Sequence, residues 1–140
     1  MSAPSLNGLP LNASVINPLA ISRLERNPLM KYILLIYVDE SNEETSPEIY
    51  AQYGAVVEDA TKAGVWVGGD ELQPTSTATT VRIHDGETQT TDGPFAETHE
   101  ALGGYFLLDC KDLDEALSYA ARIPAASMGG SVEVRALNEN

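Results

Sequence analysis

Apolar positions along the chain fall into short, separated blocks whose spacing changes from block to block. Residues 32–38 (YILLIYV) are seven apolar residues in a row, β-branched and aromatic, which predicts a strand covered on both faces. A polar turn follows at 39–44. Thr45, Ser46, Pro47 and Glu48 then read as a helix start, with a Thr45/Glu48 capping box or with Ser46 as cap and Pro47 at the first helical position. Ile49, Tyr53, Val56, Ala60 and Ala63 give that helix one apolar stripe, and Gly64 ends it. Residues 65–67 predict a short second strand running into Gly68, Gly69 and Asp70. Residues 79–84 and 87–91 flank Asp85-Gly86, the pair suited to a type I′ hairpin turn. Residues 105–108 (YFLL) predict another buried strand. Asp112 and Glu115 cap a second helix with Leu113, Ala116, Leu117, Ala120 and Ile123 as its stripe, stopped by Pro124. Residues 131–137 alternate into a half-buried closing strand.

With the hairpin set aside, the order strand, helix, strand, strand, helix, strand is that of an α+β, ferredoxin-like split βαβ fold. Two helices cover one face of such a sheet. The two strands that are apolar on both faces need cover on the other, and a second copy of the chain is the expected cover, giving a dimeric α/β barrel. Residues 1–29 have no sustained period and read as a loose N-terminal tail; residues 30–140 form the domain, and Met30 is itself a candidate start.

Charge narrows the partners. The chain of 140 residues carries net charge −13. Arg23, Glu25 and Arg26 are the charges before Lys31, so the remaining 110 residues hold six basic and twenty acidic side chains, net −14. Such a surface repels phosphate backbones and anionic lipid, so neither nucleic acid nor a membrane is an expected partner. Cys110 is the single cysteine, which excludes an intrachain disulfide and paired-cysteine metal or redox sites and suits a cytoplasmic setting.

Candidate chemistry centres on Asp92-Gly93-Pro94-Phe95. Gly93 can take positive φ, Pro94 fixes the next φ, and Phe95 is placed to anchor the loop, so Asp92 is held as a general base or hydrogen-bond acceptor. The competing reading makes Asp92 a turn residue bonded to its own loop. Tyr53, Arg82, Phe95 and Arg135 are the candidate ligand-binding residues, suited to a polar or anionic small molecule. His84 and His99 have the right side chain for acid–base work, although His84 sits by an exposed hairpin tip. Asp92, Glu97, His99 and Glu100 lack a strong metal spacing, so neither metal nor cofactor is expected.

Residues 31–37 (KYILLIY), 68–74 (GGDELQP), 79–82 (TTVR), 91–98 (TDGPFAET), 102–105 (LGGY), 112–117 (DLDEAL) and 130–135 (GSVEVR) together resemble the DGPF branch of the YCII-related family. The resemblance covers nearly everything from Met30 onward. It implies the ferredoxin-like fold and its dimeric barrel, a His–Asp pair near the first helix, and genes lying beside those of extracytoplasmic-function sigma factors. In this chain the first helix has no histidine, Tyr50 and Tyr53 stand nearest to that place, and His99 stands where relatives tend to have lysine. The expectation is thus a non-catalytic or accessory dimeric module that binds a small molecule or a partner linked to sigma-factor regulation. The alternative is a lyase- or isomerase-like enzyme moving a proton with Asp92.

Overall fold

A computed structural model of the protein describes residues 29–42, 46–96 and 99–138; the tail read at 1–29 lies, apart from Leu29, outside them, as does Thr45. Strand β1 (Met30–Val38) leads to helix α1 (Pro47–Lys62), strand β2 (Trp66–Glu71), the hairpin β3 (Thr79–His84) and β4 (Glu87–Asp92), strand β5 (Ala101–Cys110), helix α2 (Leu113–Ala120) and strand β6 (Ser131–Ala136). Short 3₁₀ turns at Thr75–Thr77 and Pro124–Ser127 sit in the connections.

Four strands form one sheet in the order β2-β5-β1-β6, and every neighbouring pair is antiparallel. Because β1 and β2 both run against β5, they run parallel to each other with β5 between them. That is the split βαβ arrangement the sequence predicts. The hairpin forms a separate two-stranded sheet.

Alternation along the central strands decides what is core. Tyr32, Leu34 and Ile36 of β1 and Phe106, Leu108 and Cys110 of β5 are buried on one face, against Val56 and Ala60 of α1, Ala116 and Ala120 of α2, and Val65, Ile123 and Ala125. The rings of Trp66 and Phe106 meet edge to face with centroids 5.0 Å apart, which closes the core at the β2 side. Helix α1 starts as read: the Ile49 N–H donates to the Ser46 hydroxyl, with Pro47 at the first helical position. For α2 the Asp112 carboxylate accepts the Glu115 N–H at 2.8 Å. Its stripe is turned from the one expected, for Leu113 and Leu117 are exposed while Ala116 and Ala120 face the sheet. Small alanines let the helix approach closely and leave the leucines at its flank.

The other face of the sheet carries no helix. Ile33, Leu35 and Tyr37 of β1 and Tyr105 and Leu107 of β5 point there and stay half-buried among themselves. Ile33 lies opposite Leu107, and Leu35 lies between Tyr105 and Glu133. Around them Lys31 is paired across the strands with Asp109, the Tyr37 hydroxyl donates to Glu133 at 3.4 Å, and Arg135 stands 3.9 Å from Glu133.

Candidate functional site

The antiparallel order brings the C-terminal ends of β1 and β2, the N-terminal ends of β5 and β6, and the start of α1 to the same end of the sheet. Loops from distant parts of the chain meet there. Directly after β1, Asp39 accepts the Ser41 N–H at 3.0 Å and the Ser41 hydroxyl at 2.5 Å, the local turn that an Asp-x-Ser sequence favours. Its side chain is only 13% exposed, and His99 Nε2 lies 3.1 Å from its other oxygen. The Ser41 hydroxyl, more than any other group, holds the Asp39 carboxyl below its ordinary range; burial opposes this, while the Ser41 amide and the His99 charge reinforce it.

Beside it Glu40 grips the connection after β2. One carboxylate oxygen takes the Thr75 hydroxyl and the other the Thr75 N–H, at 2.5 and 3.0 Å. These bonds lower the Glu40 pKa, the hydroxyl first and the amide second, against a smaller effect of burial. A carboxyl lowered by folding adds stability that is fully present above its unfolded value and is lost as pH falls through the folded one. Glu40→Gln is therefore expected to flatten the loss of stability below about pH 4.5, read as acid unfolding by Trp66 fluorescence; an unchanged acid limb would remove Glu40 from that role.

The Ser131 hydroxyl donates to Glu100 at 2.6 Å, which ties the segment before β5 to the start of β6. Tyr53, half-buried on α1, completes the neighbourhood. Burial raises its phenol pKa; the Ala125 backbone amide opposes that, and the charges of Glu71 and Tyr50 add to it.

The residues put forward from the sequence do not gather in one place. Arg82 and Phe95 do meet, with the guanidinium 5.1 Å from the ring centroid, yet Phe95 is 77% exposed and does not anchor the loop by burial. The loop is held by main chain instead: the Gly93 N–H donates to the Ala78 carbonyl at 2.7 Å, and the Thr80 hydroxyl to the Gly93 carbonyl at 2.8 Å. Gly93 does adopt positive φ, at 107°. Asp92 ends β4 opposite Thr79, and Arg82 lies three positions along the strand from Thr79, an odd step, so Asp92 points to the opposite hairpin face from Arg82. Arg135 lies on the open sheet face. His84 stands by the hairpin tip, 3.3 Å from Asp85 and well exposed. Asp39 is the residue that sequence reasoning missed; it sat in what read as a plain polar turn, and the Asp-x-Ser spacing after a strand was the available signal.

Among the described residues no group of three or more His, Cys, Asp or Glu side chains could hold a metal ion, and no helix is long and apolar enough to cross a membrane. Fold and loop cluster define a small α+β domain of the split βαβ kind with a histidine–carboxylate pair at one end of its sheet. The chain belongs to the YCII-related domain family, whose profile matches residues 30–139. It is also similar to an uncharacterised protein of Rhizobium meliloti, 41% identical over 114 residues that cover 77% of this chain and 92% of that one.

Proposed function

We propose that the protein is a homodimeric binding module of the DGPF branch, two copies joining through the open sheet faces into an α/β barrel that presents the loop cluster to a small polar molecule or a protein partner. The open face carries this reading. Its centre is Ile33, Leu35, Tyr105 and Leu107, and its rim sets Lys31 against Asp109 and Arg135 against Glu133. In a chain of net charge −13, a face whose rim pairs its charges is where two copies can approach without strong repulsion. The TDGPFAET string at 91–98 supports the branch. An accessory role beside a sigma factor, in the cytoplasm, rests on the resemblance alone.

A second reading, proton transfer on a small molecule, is favoured by Asp39 and His99 rather than by Asp92. If Nε2–H donates to Asp39, Nδ1 is left as the nitrogen able to take a proton, the orientation by which a carboxylate prepares a histidine base. A metabolite panel screened by thermal shift separates the two. On the binding reading a ligand raises the melting temperature and is recovered unchanged from heavy water. On the proton-transfer reading it gains deuterium, and His99→Gln stops the exchange while Asp92→Asn does not. Loss of exchange in Asp92→Asn alone would return the base to Asp92.

A further inference from the structure

We propose that residues 19–29, the stretch that leads into β1, lie along the outer flank of helix α2 of the same chain, with Ile21 and Leu24 on Leu113 and Leu117 and with Arg23 and Arg26 toward Asp114. The flank is on the helix side of the sheet, so this contact is independent of a dimer formed through the open face.

Helix α2 has two unlike sides. Each residue turns a helix by about 100°, which sets Tyr119 on one side of the line through Ala116 and Ala120, and Leu113 and Leu117 on the other. The first side is occupied. Tyr119 packs half-buried against the core, and Arg122, just past the helix, donates to Asp59 of α1 at 2.6 Å. The second side looks away from α1. There Leu113 is 48% and Leu117 45% exposed, and their spacing of four residues makes them neighbours on a single apolar ridge.

The path of the chain points to the occupant. Met30 of β1 lies opposite Cys110 of β5, and α2 begins three residues beyond, at Leu113. The chain before Met30 therefore meets the molecule at the N-terminal end of α2, and Met30 turns its own side chain to the helix side, against the core. The six residues from Leu24 to Met30 span up to about 20 Å when extended. Leu117 stands only about 6 Å along the helix from Leu113, so the stretch has ample length to follow the ridge. Its sequence is LAISRLERNPL, with leucine or isoleucine at 19, 21, 24 and 29.

Charge favours this stretch over a second copy. Arg23 and Arg26 are two of the eight basic side chains in a chain of net charge −13. The first turn of α2 is acidic. Asp112 caps the helix and Glu115 accepts the Lys111 N–H at 2.8 Å, while the Asp114 carboxylate has no partner among the described residues. Asp114 precedes Leu117 by three positions and so borders the ridge. Another acidic surface is repelled by that rim, whereas two arginines flanking a leucine match it.

The test is the rate of trypsin cleavage after Arg26 in the full folded chain, for wild type, for Leu113→Ser/Leu117→Ser and for Leu24→Ser. Cleavage follows the population in which the stretch is off the flank. Burial of one leucine is worth about tenfold or more in such an equilibrium, so both variants are expected to be cut at least about tenfold faster than wild type. Leu24→Ser leaves the helix untouched and gives the answer even where the helix variant fails to fold. Ile83→Ser, at an exposed apolar position on the hairpin, is the control and should be cut at the wild-type rate. A wild-type rate in Leu24→Ser overturns the proposal. NOEs between the Leu113 or Leu117 methyls and residues 19–29 provide a check free of substitutions. Their absence overturns the proposal, and so does their appearance only between a labelled and an unlabelled copy, which gives the flank to another copy's chain.

Discussion

Leu34→Ala is expected to cost about 2–5 kcal/mol, a large share of the roughly 5–15 kcal/mol that holds a domain folded. Leu34 is fully buried at the centre of β1, between Phe106 of β5 and Val134 of β6. The helix residues facing that layer are mainly alanines, Ala60, Ala116 and Ala120, which have no longer side chain to swing into a vacated space. The hole would therefore persist, and the loss should lie toward the upper part of the range. Urea unfolding followed by Trp66 fluorescence at one fixed protein concentration measures it. A cost below about 1 kcal/mol would mean that the sheet and helices are not packed through Leu34.

Leu35→Asp, one residue further on, is expected to act on assembly rather than on folding. Leu35 points to the open face, so the change leaves the buried layer of Tyr32, Leu34 and Ile36 in place. On that face it sets a carboxylate beside Tyr105 and directly across from Glu133. Cross-strand like charges repel, and an unpaired charge closed into an interface costs about 3–5 kcal/mol. Because the substitution enters from both copies, a dimer formed through this face should come apart at micromolar concentration while circular dichroism stays that of the wild type. A variant that remained dimeric would move the contact away from this face.

The framework of the fold was legible in the sequence because its signals are local. Seven apolar residues at 32–38, Ser46-Pro47, Asp112 with Glu115, and Asp85-Gly86 each state a strand, a cap or a turn within a few positions. Where pairing partners decide the outcome, local reading stops short. Gly68 and Gly69 read as an exit from a strand and yet lie within β2, because Leu107 and Phe106 of β5 pair with them. Residues 105–108 mark only the middle of β5, which extends to Ala101 and Cys110 through its neighbours on both sides.

The candidate site was less legible for the same reason. Asp39 and His99 are neighbours only because β1 ends where the segment before β5 begins, and nothing near either residue in the chain marks the other. Tyr53 was named from its place on α1, and the structure sets it near Glu71 and Ala125 at the same sheet end. Arg82 and Phe95 were named separately and turn out to be partners. Asp92 and Arg135 face different surfaces, since the alternation of a strand fixes direction only once its sheet is known.

The sedimentation-equilibrium mass of the wild-type chain at micromolar concentration tests the central claim most directly. A closed barrel of two copies predicts twice the 15.0 kDa chain mass, unchanged on further dilution within that range. A stable mass of 15.0 kDa would contradict it.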